Sequence, residues 1–217
     1  MISRFNIDQS RDTLMRTYVR SEAVVFYKTK EDFGGLSNMA SGYPLQINGV
    51  RILTTEALYQ ACRFPHMPEV QREIIGQHSP MTAKMKSKPY LEHSRSDWND
   101  VRYKVMRWCL RVKLAQNYVD FARLLLDTRD LPIVEQSRKD DYWGAKLADD
   151  SGTILIGQNV LGRLLMELRE KIKNDSEGVL TTVPPLRISD FLLLGRSIEK
   201  VTAGNHGQKQ GAQDGLF

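Results

Sequence analysis

Apolar residues recur at helical intervals along most of the chain, broken by short alternating runs. Between Ser96 and Ala115, Val101, Val105, Trp108 and Val112 fall at i, i+4, i+7 and i+11. Met106, Cys109 and Leu110 widen that face, while Arg102, Lys104, Arg107, Arg111 and Lys113 lie largely elsewhere. This is the clearest helix in the chain. Asn117 caps the next, through Phe121, Leu124 and Leu125 to Asp127, and Gly157-Gln158-Asn159 opens another, VLGRLLMELREKIK. Pro68 starts a short helix to about Gly76; Ser79 caps the segment SPMTAKMKSK, with Pro80 at its first helical position. Leu14, Met15, Tyr18 and Val19 also sit at helical spacing, which predicts a short amphipathic helix over residues 8–20. Strands are expected at Ala23–Tyr27, Leu131–Glu135 and Thr153–Ile156. A hairpin is expected from Tyr43 to Leu53 around Asn48-Gly49.

That hairpin delivers the stretch LTTEALYQACRF, Leu53 to Phe64, which Pro65 closes. Glu56 and Gln60 lie at i and i+4 on such a helix, with Arg63 a further turn along the same side. A carboxylate, an amide and a guanidinium on one stripe usually mark a solvated face, because burying them without partners is costly. The alternative is a polar cleft.

Two loops bear on the choice. KTKEDFGGLSNMASGY carries Gly34-Gly35 and Ser37-Asn38, a backbone that either turns or nests phosphate oxygens. RKDDYWGAK packs Asp140, Tyr142, Trp143 and Gly144 into five positions, and rings beside a carboxylate suit a nucleobase or sugar. Lys84, Lys86 and Lys88 crowd the end of the Ser79 helix; such lysines are mostly solvated, but one held in an apolar pocket becomes a nucleophile. Trp98 fits either the core or the floor of a site. Gly162, inside a helix at a cost of about 1 kcal/mol relative to Ala, points to close packing or a ligand approach.

Composition narrows the class. The 217 residues are 41% hydrophobic and 26% charged, ordinary for a globular protein. No apolar run approaches the roughly 18–20 residues of a membrane span, and the beginning lacks a signal-peptide core, so a cytoplasmic protein without a membrane partner is expected. Cys62 and Cys109 give no disulfide framework, and the four histidines show no metal-ligand spacing, so neither a metal nor a cofactor is expected. A net charge of +5 and a pI near 9.2 suit an anionic partner such as nucleic acid or a phosphate-bearing small molecule.

Spacing alone therefore gives a mixed α/β fold with a polar cleft, in which Glu56 and Asp140 are candidates for acid and base work at a glycosidic bond. The ordered motifs FYKTKEDFGGLSN, TTEALYQACRF, SPMTAK, SDWNDVRYKVM, LLLDT, IVEQ, DDYWG and GQNVLGRLLMELR, from Val24 to Lys173, resemble the NADAR (YbiA-like) family. The resemblance implies a compact single-domain, helix-rich α/β (α+β) fold, with a small sheet and surrounding helices. It also implies cleavage of N-glycosidic bonds to ribose phosphates. One branch of the family resembles hydrolases of early riboflavin-pathway intermediates. Another resembles ADP-ribosylglycohydrolases that free ADP-ribose from guanine in DNA, often beside an ADP-ribosyltransferase toxin. The family's motif positions fall on Glu56, Trp98, Asp140, Trp143 and Asn159.

The riboflavin-type pattern T-S-E-H-Y-x-Q-A-x-K-F is broken by Ala57 and by Arg63 in place of lysine. A guanidinium cannot supply an amine's covalent chemistry and better grips phosphate. The expected substrate is therefore ADP-ribosylated guanine in DNA, with ADP-ribose as product; a riboflavin-pathway N-glycosidase and a non-catalytic nucleotide sensor are the alternatives. Lys84 then stands as the Schiff-base nucleophile, with Glu56 moving protons and Asp140 the other candidate acid-base group. Direct attack by water is the competing route. Tyr27, Trp98 and Trp143 are expected to stack on bases, Gly35, Ser37 and Asn38 to take pyrophosphate, Gln60 and Arg63 to contact substrate, and Asn159 to hold sugar hydroxyls. The expected organisation is a helical extension at 1–22, a catalytic domain at 23–173, a linker and C-terminal helix at 174–201, and a disordered tail at 202–217.

Overall fold

The computed structural model describes residues 14–148 and 150–203. Its scaffold is the long helix α4 (Trp98–Gln116), whose apolar stripe is buried as the periodicity requires: Val105, Cys109 and Val112 are inaccessible. Three helices pack around one end of the site, α1 (Thr55–Ala61), α2 (Pro68–Ile75) and α3 (Pro80–Ser87), mutually in contact and with α1 resting on α4. α5 (Tyr118–Asp127) and α6 (Val160–Lys173) complete the helical layer.

The strands form small separate sheets. β2 (Val24–Phe26) runs parallel to β5 (Ile133–Glu135), so that Phe26 stands opposite Glu135. β3 (Leu45–Ile47) and β4 (Val50–Ile52) make the expected hairpin, with Asn48 and Gly49 at positive φ as a type I′ turn demands. Thr54 then caps α1, its hydroxyl accepting from Ala57 N–H, so the hairpin ends where the helix begins.

Both ends of the chain depart from expectation. Residues 16–19, placed above in a helix, form β1 (Arg16–Val19), antiparallel to β7 (Ile154–Gly157), which also pairs with β6 (Lys146–Leu147). Tyr18 is the inward residue, against Val134, Ala145 and Leu155: the run RTYV follows the strand period of two, and β7 offers it an open edge. Residues 8–13 lie outside the described residues.

No helix forms over 186–201 either. β9 (Leu192–Leu193) and β10 (Arg196–Ser197) make a hairpin whose turn residues, Leu194 and Gly195, both have positive φ, which a continuous helix forbids. β8 (Thr182–Val183) and β11 (Val201–Thr202) pair beside it. Residues 174–203 are thus a strap rather than a loose linker, with Val183, Leu193 and Ile198 buried. Trp108 Nε1 donates to the Pro184 carbonyl at 2.9 Å, and Gln71 bonds Leu192 O and Leu194 N. Of the predicted tail, residues 204–217 lie outside the described residues, while Thr202 is in β11. No described helix is long and apolar enough to cross a membrane.

Candidate active site

A cavity of about 570 Å³ opens where α1, α3, α4 and the 136–143 loop meet. Glu56 and Gln60 are buried in its wall, so the polar stripe of α1 is not a solvated face. Gln60 Nε2 donates to Glu56 Oε1 at 2.9 Å, as the i, i+4 spacing allows. The backbone N–H of Glu56, one of the helix's unpaired first-turn donors, bonds the Asn38 carbonyl at 3.1 Å. That bond fastens the Gly-rich loop to α1 and brings Asn38 and Met39 to the cavity.

Burial raises the Glu56 pKa above the ordinary carboxylate value, opposed first by the Lys84 ammonium, then by Gln60 and Arg63. Lys84 is solvent-exposed yet lines the cavity, and among the described residues its side chain makes no salt bridge. Arg63 is half-buried, with its guanidinium 4.7 Å from the Trp98 ring centroid; burial pulls its pKa down from the usual value. A second guanidinium, Arg102, lines the cavity and stacks 3.9 Å from the Tyr142 ring centroid.

The Asp-aromatic loop is held by hydrogen bonds to its own backbone and to α6. Asp140 Oδ1 accepts from Tyr142 and Trp143 N–H at 3.0 and 2.9 Å, and Ser137 Oγ accepts from Asp140 N–H. The amides of Gln158, Asn159, Val160 and Leu161 bond the carbonyls of Asp141, Gly144, Tyr142 and Trp143 respectively. The loop thereby supplies the acceptors that the start of a helix otherwise lacks. Trp143 meets Tyr59 edge-on at 5.7 Å, and both line the cavity.

Of the residues expected at the site, Tyr27, Asn38, Glu56, Gln60, Arg63, Lys84, Asp140 and Trp143 share this cavity. Gly35, Ser37, Trp98 and Asn159 do not line it. Lys113 Nζ donates to the carbonyls of Gly35 and Ser37 at 2.5 and 3.2 Å, so the two residues hold a buried lysine and lie outside the cavity in which pyrophosphate was expected. Lys113 is fully buried beneath the Tyr43 and Phe121 rings, 4.3 and 4.2 Å from their centroids, and burial lowers its pKa to about 7. Trp98 is buried behind Arg63 and Tyr59 and acts as their backing, not as a base platform. Asn159 is inaccessible: its Oδ1 accepts from Glu135 N–H at 3.1 Å and its Nδ2 donates to Ile133 O at 2.8 Å. It holds the β5 strand instead of a sugar. Ala57 is buried in the core, so of the two departures noted above only Arg63 faces the cavity.

Glu135 was missed, and so were Tyr59 and Arg102; all three line the cavity. The signals were present. Glu135 shares the inward face of β5 with the fully buried Ile133, and Arg102 interrupts the stripe Trp98, Arg102, Met106 at i, i+4, i+8. Among the described residues no group of three or more His, Cys, Asp or Glu is arranged to hold a metal ion.

Residues 25–173 match the NADAR domain. The chain belongs to the NADAR family. It is 36% identical over 157 residues to N-glycosidase YbiA of Escherichia coli K12, covering 71% of this chain and 92% of that one. An N-glycosidase of Nostoc punctiforme is 30% identical over 153 residues, covering 70% and 93%. A riboflavin biosynthesis protein of Vibrio vulnificus is 30% identical over 199 residues, covering 88% of this chain but 51% of the longer protein. The NMR structure of E. coli YbiA superposes with a TM-score of 0.59 at 34% identity, over 71% of this chain and 87% of that one. The NADAR match ends with α6, so the strap at 174–203 lies beyond it.

Proposed function

We propose that this NADAR protein is an N-glycosidase that removes ADP-ribose from guanine bases in DNA. The observation that carries the reading is the meeting of acid-base groups, an amine and guanidiniums in one open cavity: Glu56 and Asp140 beside Lys84, with Arg63 and Arg102 in the same wall. Cleaving a C–N bond to ribose requires groups that give and take protons as positive charge develops at the sugar carbon. The guanidiniums suit the pyrophosphate, and Trp143 and Tyr27 offer faces to the bases. At about 570 Å³ the space exceeds what one ribose phosphate fills. Lys84 is the candidate nucleophile, forming a Schiff base with the opened sugar, and Glu56 accepts and returns protons at the attacking amine and the ring oxygen. An ADP-ribosyltransferase that modifies guanine is the expected functional counterpart.

The name of the Vibrio vulnificus relative, a riboflavin biosynthesis protein, favours a second reading, cleavage of a riboflavin precursor by the same groups. Parallel incubations with an ADP-ribosylated guanine oligonucleotide and with an aminopyrimidine ribose phosphate separate the two. Chromatographic release of ADP-ribose from the first supports our reading. Ribose 5-phosphate from the second alone replaces it with the riboflavin reading, and binding of ADP-ribose without cleavage of either compound leaves a sensor.

A further inference from the structure

The cavity contains a third carboxyl group, and its surroundings differ from those of the other two. Glu135 closes β5, and its backbone is fixed on every side. Its N–H bonds Asn159 Oδ1, its carbonyl accepts from Ala145 N–H at 2.8 Å, and a Cβ on Gly144 would lie 2.5 Å from that same carbonyl oxygen. The side chain is half-buried, faces the cavity, and among the described residues has no hydrogen-bond or ion-pair partner. Glu56 has Gln60 donating to it, and Asp140 has two backbone amides.

We propose that Glu135 is the acid of this site, handing its proton to the base nitrogen as the C1′–N bond breaks, while ionised Glu56 takes the proton of the incoming nucleophile. The proposal rests on the N-glycosidase reading and adds a residue and a role to it. The electron pair of the broken bond stays on the nitrogen, which takes the Glu135 proton. The nucleophile, water or the Lys84 amine, forms the new bond to C1′ and gives a proton to Glu56. In the amine route the sugar ring then opens to the Schiff base, and water adds to C1′ and displaces the Lys84 nitrogen, which leaves with a proton as the free amine. Transfer from Glu56 back to Glu135, directly or through solvent, restores both groups.

The charges explain the division of labour. Two carboxyls sharing a site cannot both ionise at no cost, so the one with fewer donors keeps the proton. Glu135 is pushed up to about 8, first by burial, then by Asp140 in its own loop and Glu56 on α1; the one opposing charge is Lys84 on α3. Asn159, just before α6, is neutral, and the nearby Arg138 guanidinium lies over the Tyr27 ring. Burial raises Glu56 too, and Asp140 adds to it, but Glu56 has Lys84, the Gln60 hydrogen bond and Arg63 all opposing that rise, where Glu135 has Lys84 alone. The group titrating near 8 thus belongs to a coupled cluster in which Glu135 holds the proton.

Two measurements test this on the full chain. With ¹³Cδ-labelled glutamate, NMR titration of the free protein should show one carboxyl with a midpoint near 8, absent from E135Q. If every glutamate has titrated by neutral pH, or the signal survives in E135Q, the proposal is overturned whether or not either compound is cleaved. On whichever compound is cleaved, E135Q should lower kcat by about 10²–10⁴-fold and abolish the fall in rate above pH 8, while E135D recovers part of both. An E135Q profile whose alkaline limb is unchanged sinks the assignment. Loss of cleavage by wild type itself refutes the glycosidase reading and leaves the carboxyl titration to decide Glu135.

Discussion

Replacing Gly162 with alanine should destabilise the protein and disorder the site, although Gly162 does not line the cavity. Alanine in a helix interior gains about 1 kcal/mol over glycine, so propensity alone predicts a more stable variant. The packing predicts the opposite. A Cβ at this position would lie 2.1 Å from the Ile133 carbonyl oxygen and 2.6 Å from both amide atoms of Asn159, where ordinary contact begins at 3.4 Å. The obstructing atoms are backbone and a doubly bonded amide, not the free end of a flexible chain. Relief requires β5 and α6 to separate, and this breaks the bonds from Asn159 to Glu135 N–H and Ile133 O. Overpacking costs about 1–3 kcal/mol and the two bonds about 1 kcal/mol each. Against the helical gain, the net loss is about 2–4 kcal/mol. For a chain of this size that lowers Tm by about 4–16 °C, measurable by circular dichroism, and kcat should fall because Glu135 shifts with β5. The N159A variant loses the same bonds without the clash, so the two changes together should cost less than their sum. A G162A protein as stable as wild type would refute the account of how β5 is held.

Four further outcomes follow from the geometry. E56Q should lower kcat by about 10²–10⁴-fold with an unchanged melting curve; near-normal turnover removes Glu56 from the chemistry. Borohydride should trap wild type, but not K84A, on the sugar of an ADP-ribosylated guanine oligonucleotide; an adduct that persists in K84A rules out Lys84. R63A should raise KM by about 10–100-fold, the loss of a charge-assisted hydrogen bond worth about 1.5–3 kcal/mol, with little change in kcat if Arg63 only grips phosphate. Lys113 sets a pH dependence of stability: its folded value is near 7 and its unfolded value 10.5. The unfolded chain takes up a proton the folded one has released, so this contribution rises from pH 7 to 10.5 and is lost as pH falls through 7. Glu135 acts oppositely, its contribution falling as pH rises from 4.5 through 8, so urea melts of wild type and K113M must be compared at each pH. A difference that does not grow from pH 7 to 10 refutes the assignment.

What could be read from the sequence was what neighbouring residues determine. The Asn48-Gly49 turn, the Ser79 cap and the apolar stripe of α4 are local, and each lies where its spacing puts it. The stripe Glu56, Gln60, Arg63 was equally visible; it turns to the cavity, with Gln60 donating to Glu56 and Arg63 stacked on Trp98. The errors fall where a distant segment decides the outcome. RTYV satisfies both periodicities loosely, and the open edge of β7 selects the strand. LLLGR satisfies a helical pattern, and two residues at positive φ, with Gln71 bonding the flanking backbone, select a hairpin.

The same distinction governs the charged residues. Lys113 lies among the solvated positions of an amphipathic helix by spacing, yet it is the most buried cation described, because Gly35, Ser37, Tyr43 and Phe121 converge on it from other parts of the chain. Asn159 matches a motif position and so invited a ligand role, but both its amide atoms are used in holding β5. The two residues do related work. Lys113 fixes the loop whose Asn38 carbonyl meets the first turn of α1, and Asn159 fixes the strand that ends in Glu135. Glu56 and Glu135 therefore line one cavity because two polar side chains outside it anchor the segments that carry them. A site of this kind should lose activity through changes at Lys113 and Asn159 that leave every cavity-lining residue intact.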